Sequence, residues 1–500
     1  MAATPPQAND DLPHAVRPAS GWRRLMPLLA LIALGALATR IVWLGDQATD
    51  YDEQLYSLIG EQMLHGALPY VDLWDRKPLG LFALFALAHA VGGPDATVYQ
   101  VMAALFVVAG GWLVFVLARK LVDDLTATGA ALAYAPLMYA YGSLSGQSEI
   151  FLVPLMLGMV WLVDSLNRGR DRGQAWRTAV AAMLLGGLAL QIKTTAAPQC
   201  LVLGLAALWQ LRGESRLRLA IHALSLALAG LLPTLAVAAI YAAQGQFEWF
   251  WYATVTSNFA RVAASGERII PQHFAALAPL LAITLGGLYA AWRLNPVRDK
   301  AFYRLLCWWG LGILAGVYLP NKVNLYYFAA FVPCALLLAA PLIDRTSRLR
   351  WIPLVALLGA SALLLNVPRH AAETLQGRAT VARMVDAIRP HVMQQGPCLL
   401  VFDGPTALYR LTGSCLPSRI VYPDHWNDEL ERNSLGIDRL AELRRVLANR
   451  PGAIVTGDDP VAAQDLDTTA LIERAIASDY RHATSGVIRG RTYHVWVRRD

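Results

Sequence analysis

About eleven apolar runs, most near twenty residues long and parted by short clusters of arginine and lysine, constrain this chain more than any other feature. They cover 25–44, 97–118, 126–142, 148–166, 176–192, 195–211, 217–243, 273–292, 302–319, 324–343 and 350–366. A helix rising ~1.5 Å per residue needs roughly 20 such residues to cross a hydrocarbon layer ~30 Å thick. Only 16% of the 500 residues are charged and 56% are hydrophobic. Soluble domains run at about 25% charged, so an ordinary soluble enzyme is excluded, as are a disordered chain and a disulfide scaffold. The net charge of +7 does not point to nucleic acid, because the basic residues sit in the loops of a polytopic pattern.

Those clusters also orient the chain. Placing Arg119-Lys120, Arg168–Arg177, Arg212–Arg218, Arg293–Lys300 and Arg345–Arg350 in the cytoplasm puts 45–96, 143–148, 193–194, 244–272, 320–323 and everything after 366 outside. The run 79–92 is short for a span; if it crosses, a second hidden crossing brings the total to about thirteen. Residues 1–24 read as a polar, disordered cytoplasmic tail. The run 25–44 reads as an uncleaved first span, since it continues past Arg40 through Ile41–Leu44. The loop 244–272 is dense in aromatics, the composition of an interfacial belt, although such rings also suit the wall of a sugar or lipid site.

Residues 367–500 are polar and mix helical and strand patterns, as expected of a small α/β domain on the outer side. Helices are expected at 371–392 and 435–447, and strands at 398–402, 419–422, 453–456 and 493–497. Cys398 and Cys415 lie in this domain; spacing alone leaves their pairing open. No internal repeat is apparent, and no histidine or cysteine pair has metal-ligand spacing, so the sequence demands no metal.

The loop after the first span carries the chemistry. Asp50, Asp52 and Glu53 head an amphipathic segment in which Leu55, Leu58, Ile59 and Met63 recur at helical spacing, as in a helix lying in the membrane interface. Asp52 and Tyr56 share one face, and a carboxylate at a helix N-terminus is held ionised. The carboxylates alone equally fit a helix cap. Farther on, Arg76-Lys77-Pro78 breaks the positive-inside trend, and basic residues there suit a lipid phosphate as well as snorkelling. Lys193 and Lys322 have the same placement. Glu149 is the only acid of the apolar stretch 125–163, and an acid at a membrane boundary is often functional.

A span, then Asp52-Glu53 and Tyr56, then Gly66-x-x-Pro69-Tyr70-x-Asp72-x-Trp74-Asp75-x-Lys77-Pro78, resembles the GT-C superfamily of membrane glycosyltransferases. The similar branch holds the protein O-mannosyltransferases and the lipid A aminoarabinose transferases. The resemblance covers about 1–366 in layout and 50–80 in motif. It departs from the family where Leu79 replaces a second proline and Leu325 replaces a histidine. It implies a polytopic α-helical fold, a polyprenyl-phosphate sugar donor, and transfer at the periplasmic face of an inner membrane to a lipopolysaccharide, another envelope glycan or a protein. Asp52 would be the catalytic carboxylate, with Glu53 its partner and Glu149 a second acid. Lys77 would meet the donor phosphate, with Arg76, Lys193, Lys322, Tyr56, Tyr326 and Tyr327 around the substrate. A transporter or lipid flippase is the alternative; it would instead favour broken helices and mid-membrane charge.

Overall fold

The computed structural model describes residues 20–166, 171–212, 215–261, 270–319, 323–460 and 462–499. The expected tail falls almost wholly outside them, and so does Lys322. Helices occupy every expected span: α1 (Ser20–Ala38), α4 (Ala96–Ala118), α5 (Asp124–Ala140), α6 (Ser148–Ser165), α7 (Arg172–Leu190), α8 (Ala197–Gln210), α9 (Arg216–Ala243), then Ile270–Arg293, Lys300–Tyr318, the broken stretch Leu325–Ile343, and Ile352–Leu365. Among the described residues, seven segments are long and apolar enough to cross a membrane by length and composition. The helix at Leu79–Gly92 (α3) is among the shorter apolar ones.

Ion pairs and hydrogen bonds between the helix connections tie the bundle together at two ends. At one end Arg345 pairs with Asp123 at 2.9 Å and Lys120 with Asp164. At the other, the Arg40 guanidinium donates to the Ser143 carbonyl at 2.7 Å and to the Leu144 carbonyl, fastening the end of α1 to the α5–α6 loop. The basic clusters gather at the first end. The C-terminal domain caps the second.

The helix after the first span, α2 (Tyr51–Leu64), starts where Asp50 accepts N–H bonds from Asp52 at 2.9 Å and Glu53 at 3.4 Å, a side-chain cap. It does not lie free in an interface: Glu53 through Gly60 are all buried. Gly60 lets α2 press on α3, since a Cβ there would stand 2.7 Å from the Ala86 nitrogen. On its other side the Gln54 side chain accepts the Ala407 N–H at 3.1 Å and Arg410 approaches Glu61 at 3.8 Å. The helix is therefore a beam between the bundle and the C-terminal domain: Gln54 and Glu61 reach that domain, whereas Glu53 and Ser57 bond within the bundle.

Asn366, in the left-handed conformation at φ 35°, turns the chain out of the last bundle helix into Val367–Ile388. This helix packs on a four-stranded sheet of order β1-β2-β4-β3: β1 (Leu399–Val401), β2 (Ala453–Gly457), β3 (Tyr480–Ile488) and β4 (Arg491–Arg498). β1 and β2 are parallel and the rest antiparallel. The strand β3, the helix Leu466–Asp479 and the short helices Leu408–Thr412 and Pro423–Asn427 are not anticipated from the sequence. The β3–β4 turn uses Arg489 and Gly490, both at positive φ, the two-residue hairpin geometry. The expected strand 419–422 is instead an irregular segment. Its Arg419 carbonyl accepts the Trp74 N–H at 2.8 Å, so its backbone serves the first loop of the bundle and not the sheet. Cys398 and Cys415 are joined in a disulfide.

Candidate active site

A cavity of about 300 Å³ lies where the C-terminal domain meets the end of the bundle. Asp52, in the first turn of α2, projects into it. Its Oδ1 accepts the Tyr422 hydroxyl at 2.8 Å, and its Oδ2 accepts Gln147 Nε2 at 3.2 Å and faces Lys77 Nζ at 3.9 Å. Burial pushes this carboxyl up, but Lys77 and the Tyr422 and Gln147 hydrogen bonds outweigh it and hold Asp52 below the ordinary range. Neighbouring Asp50 goes the other way, raised by burial and by the charge of Asp52. Two carboxyls two residues apart are thereby shifted in opposite directions.

Lys77 is placed by an unusual loop. Tyr70 takes a positive φ of 69°, costly for a bulky residue. Its N–H donates to the Leu73 carbonyl at 2.7 Å, its hydroxyl to the Lys77 carbonyl at 2.9 Å, and its ring packs on Tyr241 at 5.4 Å. These contacts over-determine the strained residue. The Lys77 ammonium sits 5.1 Å from the centre of the Tyr56 ring. Burial would strip its proton, yet Asp52 and Asp75 raise its pKa above the ordinary lysine value.

Lys193, in the α7–α8 connection, reaches the cavity while paired with Glu149. The rings of Tyr327 and Tyr326 stand 3.9 and 4.9 Å from its ammonium, near enough for cation–π attraction. Arg76 points to the C-terminal domain: its guanidinium forks onto Glu431, one arm at 2.7 Å, and meets Ser434 at 2.9 Å. Arg261 reaches the same carboxylate at 2.6 Å. Burial would raise Glu431, but the two guanidiniums hold it well below the ordinary carboxylate value.

Asp52, Arg76, Lys77, Lys193, Tyr326 and Tyr327 thus share one cavity wall. Glu53, Glu149 and Tyr56 stand behind it. Glu53 turns away, takes the Gly146 N–H and faces Tyr99 and Gln100 at 3.4 Å each. Burial and then the charge of Asp50 push it up to about 8. Its contact fixes the loop that presents Gln147, and a Cβ at Gly146 would come within 3.0 Å of its Oε2. Glu149 pairs with Lys193 and accepts Ser148 Oγ at 2.9 Å. The opposite wall was invisible to sequence reasoning: Tyr422, His425, Glu431 and the Asp403–Arg491 pair all come from the C-terminal domain. The aromatic loop joins it, with Trp249 4.1 Å from the Arg419 guanidinium and the Tyr252 hydroxyl donating to the Asn433 carbonyl at 3.4 Å. These two rings pack between the domains, whereas Phe247, Trp251 and Phe259 remain exposed.

A carboxylate and a buried lysine thus meet in one cavity at the end of a helical bundle, under a small α/β cap. The family model described as "Dolichyl-phosphate-mannose-protein mannosyltransferase" matches residues 76–241. Among solved structures, the chain is similar to ArnT from Cupriavidus metallidurans bound to undecaprenyl phosphate, with 13% identity and a TM-score of 0.64 over 95% of this chain and 98% of that one. The apo state of the same protein matches with 12% identity and a TM-score of 0.63 over the same shares. No curated protein matches the sequence. The chain therefore has the overall fold of these ArnT structures, and its segment 76–241 matches the mannosyltransferase family model.

Proposed function

We propose that this protein transfers a sugar from a polyprenyl-phosphate donor to an acceptor hydroxyl, at the periplasmic face of an inner membrane, without a cofactor. The acceptor is a lipopolysaccharide, another envelope glycan or a protein. One observation carries the reading: the Asp52 carboxylate and the Lys77 ammonium face each other at 3.9 Å across one cavity. The acceptor oxygen attacks the anomeric carbon, the bond from that carbon to the phosphate oxygen breaks, and Asp52 orients the hydroxyl and takes its proton. Held so low, Asp52 is a weak base. Phosphate is a good leaving group, so proton transfer follows bond cleavage and a weak base suffices. Lys77 and Lys193 offset the charge gathering on the departing phosphate. Undecaprenyl phosphate, bound by the similar ArnT, has the chemistry this cradle suits. The basic clusters at the opposite end of the bundle support a cap facing outward.

Purified wild type and Asp52→Asn, offered a panel of polyprenyl-phosphate sugars and cell-envelope acceptors, test this by release of free polyprenyl phosphate. Acceptor-dependent release that falls at least about a hundredfold in the folded variant is expected. Equal release by both, or lipid carried between leaflets without turnover, overturns the reading.

A further inference from the structure

Asp52 offers its two oxygens to different partners. Oδ2 is turned to the bundle, towards Gln147 and Lys77, whereas Oδ1 is turned to the C-terminal domain and holds the Tyr422 hydroxyl at 2.8 Å. A nucleophile that gives its proton to a carboxylate must stand about 2.6–3.2 Å from it. The donor phosphate belongs on the lysine side, so the acceptor hydroxyl belongs at Oδ1, where a phenol hydroxyl already sits. We infer that Tyr422 holds the place of the acceptor hydroxyl, keeping water off Asp52 until an acceptor displaces it, and so makes the enzyme a transferase and not a hydrolase. This inference rests on the transferase reading.

The surroundings suit a placeholder. Tyr422 is half-buried, between buried Val421 and buried Pro423, and so is reachable from the cavity. The backbone before it is pinned by the Arg419–Trp74 hydrogen bond, and the His425 ring packs on it at 5.2 Å. The phenol is kept protonated by burial and by the charge of Asp52; it donates and cannot itself be the base. Losing only its hydroxyl would leave a space the size of a water molecule against Oδ1. Water there would attack the anomeric carbon, forming its carbon–oxygen bond as the phosphate–sugar bond breaks and passing its proton to Asp52. The products would be free sugar and polyprenyl phosphate. Excluding water from a reactive centre in this way is a recognised task of a closed site.

The test uses the full chain in detergent, with undecaprenyl-phosphate mannose and a panel of other undecaprenyl-phosphate sugars as probes and no acceptor present. Tyr422→Phe is expected to release free sugar about tenfold faster than wild type, and Asp52→Asn/Tyr422→Phe to lose that gain. A tyrosine needed only for structure would lower hydrolysis when altered. Equal rates, zero included, or a slower variant overturn the inference. Binding of undecaprenyl phosphate is measured alongside. Binding by wild type and Tyr422→Phe, weakened in Lys77→Ala, shows that the variant is folded and leaves the donor site standing if hydrolysis is unchanged. Absence of binding by wild type overturns the transferase reading itself.

Discussion

Arg76 and Glu431 lie 355 positions apart in sequence and form a two-armed ion pair, with Arg261 closing on the same carboxylate. The side chains of Arg76 and Glu431 are only 9% and 3% exposed. Removing one member of a buried pair leaves the other charge unpaired, at about 3–5 kcal/mol. Glu431→Ala strands two guanidiniums and is expected to loosen the C-terminal domain from the bundle. Hydrogen exchange in 419–434 should rise, with the rest of the sheet less affected. Arg76→Met/Glu431→Met should restore part of the protection, because apolar replacements of a buried pair leave no stranded charge. Unchanged exchange in Glu431→Ala would show that this contact does not hold the domains together.

Lys193 and Glu149 present the same problem inside the site, with exposures of 4% and 1%. Either single neutral substitution strands a buried charge. We therefore expect Lys193→Met and Glu149→Gln each to lose about 3–5 kcal/mol of stability, and the double variant to lose less than their sum. Activity separates the roles: the double variant should still lack a phosphate contact, so its kcat stays low while its stability recovers. Full recovery of kcat would show that Lys193 acts only by neutralising Glu149.

The bundle was legible because the spans advertise themselves by their apolar runs and by the basic clusters in alternate connections. Asp52 and Lys77 were legible because charge where apolar residues belong needs a reason. The fates of their neighbours were not. Glu53 and Asp52 are adjacent, and only the helix direction decides that one enters the cavity and the other clasps Gly146. Arg76 precedes Lys77, yet its partner Glu431 belongs to a stretch with no periodicity. The segment 419–422 has strand composition, but its hydrogen bonds go to Trp74, a long-range choice that no local pattern records. The hairpin strand β3 was missed because its exposed face carries arginine, histidine, serine and threonine, which blurs the alternation.

The disulfide between Cys398 and Cys415 spans 17 positions and bears directly on topology, because such bonds persist in oxidising compartments. In protein isolated from membranes, Cys398 and Cys415 are expected to resist maleimide until reduced, as mapped by peptide mass. Reduction of a loop this size should cost about 3 kcal/mol of domain stability. Free thiols at both positions in freshly isolated protein would argue against an outward-facing domain.

His425 makes the C-terminal wall sensitive to acid. Its ring is buried behind Tyr422, and burial lowers its pKa to about 4, against the opposing pull of Asp75 and Glu431 and with the help of Arg76 and Arg261. The folded site therefore holds a neutral ring, whereas the unfolded chain protonates it near the ordinary value of about 6.5. Between those values the unfolded state binds more protons, so stability rises with pH. The contribution is fully present above about 6.5 and is lost as the pH falls towards about 4, at up to about 1.4 kcal/mol per pH unit. Hydrogen exchange of 419–434 between pH 7.5 and 4.5 should show protection declining with acid in wild type and declining less steeply in His425→Phe. The slope is the readout, so a uniform loss of stability in the variant does not affect the comparison, and equal slopes would show that another group senses the acid.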